Sequence, residues 1–472
     1  RQPEGDAANI LIPCENAPPV RLSIPYEAPP ARIEYATAGE DRDRLHLYVS
    51  SDSEHNLTRV RLDGVRLDAR LYGESFDDGV ALAVADLSDA LGLWSYHSVS
   101  AVLDSGETVS AQFRVLPWFY PRSSIHVPSE MCDEMNMNLG MWHHRSLEEC
   151  REYDIYTVTG RDRMFDDHER VYYVMGPDEP DAHDNRGAGY DAGLGYWARR
   201  LMHSGWGTLV RTQAEAATWV IMNGTTRPLN WCVYGQLADI ACFDPYPINF
   251  YGADHAYVRE SMDYVRQCGA PHRMYACLET FGYSKGQGVP TRARGPLSAE
   301  YRQNFVQALG TGTKGITSWV YSAIAGGWQL DEDCKKEIAR MNGLIAGIED
   351  DLLRGCPVPW ASTDAGLVDT GVVGDERWPK ERVWAGGLLC GAHTIVVAVA
   401  NHIPASKPEP PTIEPADDVT VSVDLPDWLD EVQAFEATPQ GTRQIECTVQ
   451  DGTAKIKLDQ IRAGRVFVLK RP

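Results

Sequence analysis

The sequence predicts an α/β fold: a (β/α)₈ TIM barrel with an N-terminal β-sandwich and a C-terminal β-sandwich domain. Three observations point there. Short alternating strands punctuated by turn dipeptides fill the first hundred or so of the 472 residues. Apolar strands then alternate with helical segments, the pattern of parallel βα units. Beyond residue 357 the alternating strands return. A chain of this length is also too long for one ordinary domain. The expected division is 1–114 for an immunoglobulin-like sandwich, 115–356 for the barrel and 357–472 for the second sandwich.

In the first zone the strands are expected at 32–36, 45–49, 58–62, 81–85, 98–103 and 108–115, separated by Asp63-Gly64, Asp78-Gly79 and Ser105-Gly106. Such glycine dipeptides supply the positive φ that tight turns require. Barrel strands are expected at 124–127, 138–142, 154–159, 171–175, 208–212, 240–243, 274–278 and 315–320, with 229–233 competing for the fifth place. Helices are expected at 147–153, 190–203, 214–221, 255–268 and 299–309, and 332–349 closes the barrel. The tail reads as strands at 382–390, 393–399, 419–423, 432–436, 453–458 and 465–469, with a proline-rich loop at 404–415.

Composition excludes several function classes. A net charge of −23 opposes nucleic acid and anionic lipid, both of which need a basic face. No apolar run approaches the ~18 residues of a membrane span, so membrane insertion is not expected. Eleven cysteines, an odd number without a CxxC pair, make neither a disulfide framework nor a zinc site. Those inside apolar strands, such as Cys242 and Cys277, are expected to be buried hydrophobes. The chain starts at Arg1, which implies removal of an upstream segment. The sequons at Asn56 and Asn223 leave the compartment open; a secreted or periplasmic setting is expected over a cytoplasmic one. No cofactor or metal is implied.

In a barrel the βα loops converge at the carboxyl ends of the strands. The second strand delivers Trp142, His143 and His144 there, and the fourth delivers Asp178-Glu179-Pro180. The sixth delivers Asp244-Pro245-Tyr246-Pro247, the seventh Glu279-Thr280-Phe281-Gly282, and the eighth Trp319 and Tyr321. Carboxylates and aromatic rings on one rim suit a carbohydrate, whose C–H faces stack on rings while its hydroxyls need fixed polar partners. Cleaving a glycosidic bond takes two carboxyl groups, one to protonate the leaving oxygen and one to attack or stabilise the anomeric centre. Glu179 and Glu279, at strands four and seven, sit where they can face each other across a sugar.

These motifs, a fourth-strand Glu-Pro and a seventh-strand Glu followed by Phe-Gly, resemble those of the clan A glycoside hydrolases. The resemblance covers the middle half of the chain. It implies that Glu179 is the acid/base, that Glu279 is the nucleophile of a retaining mechanism, and that Trp319 lines a sugar subsite. The sequence departs from the clan at Asp178, where asparagine is usual. Asp178-Glu179-Pro180 resembles instead the barrel β-N-acetylgalactosaminidases, which implies a substrate-assisted route with Asp178 orienting an acetamido group. A third reading is a carbohydrate-binding barrel without turnover.

Each motif also has a plainer reading. Asp178-Glu179-Pro180 makes a good helix start, with aspartate as N-cap and proline early in the helix. The two prolines of Asp244-Pro245-Tyr246-Pro247 make a stiff turn. His143 and His144, adjacent on a strand, point to opposite faces and cannot easily share a metal ion, though either could hold a sugar hydroxyl. It is the pairing of Glu179 with Glu279 that points to chemistry.

Overall fold

The computed structural model describes residues 7–14, 17–25, 29–51, 55–141, 145–159, 169–175, 179–183, 216–222, 231–236, 238–248, 254–283, 294–321, 328–330, 332–373, 376–404 and 410–472. They form a strand-rich α/β structure with one curled, seven-stranded parallel sheet and several antiparallel sheets.

After a hairpin of Ala7–Cys14 and Ala17–Pro25, two four-stranded antiparallel sheets follow. One runs Ala31–Thr37, Arg44–Ser51, Val80–Asp86, Arg70–Tyr72; the other runs Thr108–Arg114, Tyr96–Leu103, Leu57–Leu62, Val65–Arg66. Alternation puts Leu45, Leu47 and Val49 with Ala81 and Ala83 into a core shared with Val60, Val99, Ala101 and Phe113. The opposite face carries Tyr48, Val80 and Leu82. A register shift between Ile33 and Tyr35 lets these two residues of equal parity face opposite cores.

That second face packs on the C-terminal sheets. A six-stranded antiparallel sheet starts at Gly355–Val358, and a four-stranded one is built on Ala416–Asp424 and Thr453–Ile461. Long-range hydrogen bonds fix the contact: Tyr35 Oη donates to Leu353 O at 2.8 Å, Gly391 N to Tyr48 Oη at 2.8 Å and Trp360 Nε1 to Asp78 O at 2.8 Å.

The parallel sheet runs Leu139–Gly140, Tyr156–Thr159, Val171–Met175, Ala217–Met222, Ile240–Phe243, Arg273–Glu279, Ile316–Trp319. Residues 122–125 reach both of its edges, Arg122 bridging in parallel to Ile316 and Ile125 to Met141. The concave face holds Tyr172, Trp219, Ile221, Ile240, Cys242, Tyr275 and Cys277. The convex face packs under the helices Ala256–Gly269, Ser298–Gly310 and Glu332–Ala346. Cys242 and Cys277 are fully buried, as a small hydrophobe in a strand should be.

The strand expected at 124–127 is present only as an isolated bridge at Ile125. Residues 214–221 were expected to be helical, yet Ala217–Met222 is a strand pairing with Val171–Met175 and Ile240–Phe243. All six of its residues are buried, so it shows neither helical nor alternating periodicity, and the Trp219-Val220-Ile221 run favours the extended form. The strand expected at 208–212 and the helix expected at 190–203 lie outside the described residues. Of the rival fifth strand at 229–233, residues 231–233 belong to the helical turn Trp231–Tyr234, and 229–230 lie outside the described residues.

Arg114 pins the N-terminal sheets to the parallel sheet. Its guanidinium donates to Asp239 Oδ2 at 2.7 Å and to Ala216 O at 2.8 Å, with both charged side chains almost wholly buried. Asp239 also accepts from Tyr96 Oη and from the backbone and hydroxyl of Thr218. A buried charge needs this many partners to offset lost hydration.

Candidate active site

Along Arg273–Glu279 every second residue faces the concave side, which places Arg273, Tyr275, Cys277 and Glu279 in one column. At the amino end the column is closed. Tyr172 and Tyr275 share a hydroxyl hydrogen bond of 2.6 Å, and Arg273 reaches Tyr172 Oη and Pro117 O. Phe119 stacks on Tyr156 at 4.4 Å and leans on Tyr172, filling that mouth with rings. At the carboxyl end the column finishes in Glu279.

Glu279 is fully buried, and its Oε2 accepts the backbone N–H of Ile248 at 2.8 Å. In register beside it lies Trp319, half-buried against the concave cluster. The next strand over, Ile240–Phe243, continues as Asp244, Pro245 and Tyr246. Asp244 is buried, and Tyr246 stands edge-on to Phe281 with ring centroids 5.5 Å apart. The Tyr246 hydroxyl lies 3.6 Å from Cys277 Sγ. Burial above all, then the neighbouring Cys277, Asp244 and Glu179, push its phenol well up, so it stays protonated and neutral. Tyr257 is raised likewise by burial, Asp244 and Asp181.

Glu179 follows Val171–Met175 and is partly exposed, with a φ of +43°. This is the left-handed region, which costs a non-glycine residue ~1–2 kcal/mol. The helical turn Pro180–His183 starts immediately after it, so proline does sit at a helix start. Within that turn Asp181 is buried and accepts from Trp231 Nε1 at 2.9 Å, which ties the segment to the helical turn Trp231–Tyr234.

Of the residues singled out in the sequence, Glu179, Asp244, Tyr246, Glu279 and Trp319 thus stand at or beyond the carboxyl ends of strands of the one parallel sheet. Tyr321 is buried in the convex-side cluster, with Lys335 Nζ 5.0 Å over its ring. Trp142, His143, His144 and Asp178 lie outside the described residues. The sequence reading missed the Ile248 amide, Tyr257 and the Asp181–Trp231 bond. Asp181 had a signal, an acid just inside a helix start, but a backbone amide has none. Among the described residues no group of three His, Cys, Asp or Glu is arranged to hold a metal ion, and no helix is long and apolar enough to cross a membrane.

No protein-family model matches this sequence, and no curated protein matches it. Solved structures with a similar course of the chain include a Paenibacillus sp. cycloisomaltooligosaccharide glucanotransferase in complex with cycloisomaltoheptaose. It is 7% identical, with a TM-score of 0.46 over 93% of this chain and 99% of that one. A GH51 arabinofuranosidase from Xanthomonas axonopodis pv. citri is 9% identical, with a TM-score of 0.44 over 75% of this chain and 96% of that one. A Bacteroides uniformis β-glucuronidase is 10% identical, with a TM-score of 0.36 over 94% and 80%. Likeness of this depth assigns no reaction.

Proposed function

We propose that this chain is a glycoside hydrolase acting on a glycan or oligosaccharide, with Glu179 as acid/base and Glu279 as nucleophile of a retaining reaction. The observation that carries the reading is that Glu279, fully buried at the carboxyl end of its strand and in register with Trp319, has one carboxylate oxygen held by the Ile248 N–H. The strained φ at Glu179 supports it too, because such backbone geometry tends to persist where function requires it.

In this reading the parallel sheet is a closed (β/α)₈ barrel, with residues 122–125 as its eighth stave, between sandwich domains at 1–114 and 357–472. Glu179 protonates the glycosidic oxygen as that C–O bond breaks, while the Glu279 carboxylate attacks the anomeric carbon. The Ile248 amide orients the attacking group. Glu179, now ionised, takes a proton from water, which displaces Glu279 and keeps the configuration. Trp319 offers its ring to a sugar face, and neutral Tyr246 offers a hydroxyl. Asp178, Trp142, His143, His144 and Asp244 complete the proposed substrate-binding set; Tyr321, expected there from the sequence, packs in the convex-side cluster instead.

A panel of aryl glycosides with and without 2-acetamido groups tests this reading. Turnover on at least one is expected, with Glu279→Gln abolishing it in a folded chain. Glu179→Gln should slow substrates with poor leaving groups far more than activated ones. Near-normal turnover by Glu279→Gln would overturn the nucleophile assignment, and activity confined to 2-acetamido substrates would favour the substrate-assisted route.

A further inference from the structure

Two cysteines 36 positions apart in the sequence meet in the structure. Cys232, in the helical turn Trp231–Tyr234, is exposed; Cys268, near the end of Ala256–Gly269, is buried. Their sulfurs lie 2.7 Å apart. Two glycines bring the backbones together: a Cβ on Gly235 would sit 3.2 Å from Gly269 Cα. Gln236 then clamps the junction, its Nε2 donating to Cys268 O at 2.8 Å and to Ala270 O at 3.1 Å.

We propose that Cys232 and Cys268 are a reversible disulfide site, oxidised by a low-molecular-weight disulfide such as oxidised glutathione. The exposed Cys232 thiolate attacks one sulfur of the small disulfide, whose S–S bond breaks and releases a thiolate. Cys268 then loses its proton and attacks the Cys232 sulfur, expelling the second small thiol. Two protein thiols are oxidised by two electrons, and one small disulfide is reduced to two thiols. The order follows from access and from charge. The hydrogen bond from Cys268, then that from Tyr264, hold the Cys232 thiol below the usual range at about 6, whereas Cys268 is pushed up.

The cross-link would close a loop containing Ile240–Phe243, Asp244, Tyr246 and Ile248. It would tether the segment whose Ile248 N–H holds Glu279, whatever reaction occurs there. Closing a loop of this size restricts the unfolded chain. Equilibrating the full chain with oxidised glutathione should therefore give a non-reduced peptide linking Cys232 to Cys268, a mass loss of two hydrogens and a Tm higher by roughly 5 °C. Dithiothreitol should reverse all three, and the exposed-site variant Cys232→Ser should show none of them. A stable glutathione adduct on Cys232 without ring closure, an unmodified Cys232, or a different linked pair would each overturn the proposal.

Discussion

Ile248 donates its backbone N–H to Oε2 of Glu279 at 2.8 Å, from a segment that no sequence motif connects to that strand. The bond does two things: it satisfies a buried amide and fixes one carboxylate oxygen in a fully buried side chain. Glu279→Gln keeps an acceptor, so its stability should fall by less than about 1 kcal/mol. Glu279→Ala leaves the amide without a partner and should cost about 1–3 kcal/mol. Urea unfolding of the two variants separates the hydrogen bond from the charge; equal losses would mean that the bond contributes nothing.

Asp239→Ala should be among the most damaging single changes in the chain. It removes the carboxylate that pairs with the Arg114 guanidinium, whose side chain is 2% exposed, and the acceptor of Tyr96 and Thr218. A loss of about 3–5 kcal/mol is expected. Thermal unfolding that leaves the variant within about 1 kcal/mol of the parent would show that Asp239 is not the anchor.

Stability should fall in two stages as the pH drops. Burial, then Arg354 and Arg44, hold the His46 imidazole down from 6.5 to about 4, so it is neutral when folded and protonates more readily when unfolded. Its contribution, on the order of 3 kcal/mol, is complete above pH 6.5 and lost as the pH falls through 4. For Glu300, burial raises the carboxyl, but hydrogen bonds from Arg294 and His255 outweigh it and hold the group at about 2. That contribution is complete above pH 4.5 and lost as the pH falls through 2. His46→Gln should flatten the upper stage and Glu300→Gln the lower; unchanged profiles would refute each in turn.

Gly315→Ala should destabilise by about 1–3 kcal/mol through overpacking. A Cβ there would lie 2.8 Å from Tyr275 Cζ, and Tyr275 is held by its 2.6 Å bond to Tyr172. A double variant with Tyr275→Leu, which removes the ring, should recover part of the loss. No recovery would mean that the clash is not the cause.

Much of the fold was legible because pattern and turn chemistry are local. Leu45, Leu47 and Val49 announce a strand by alternation, and the helix expected at 147–153 is found at Leu147–Glu152. Ala217–Met222 was not legible, since a strand buried on both faces erases the period that identifies it.

The sequence by itself determined which side chains stand at the strand ends, among them Glu179, Asp244 and Glu279, because a strand's period of two and its terminating prolines are properties of neighbouring residues. Only the tertiary structure decided that Tyr246 reaches Cys277, that Ile248 serves Glu279, and that Cys232 meets Cys268. Those relationships join residues tens of positions apart, and the curl of the sheet and the close approach of two glycines set them.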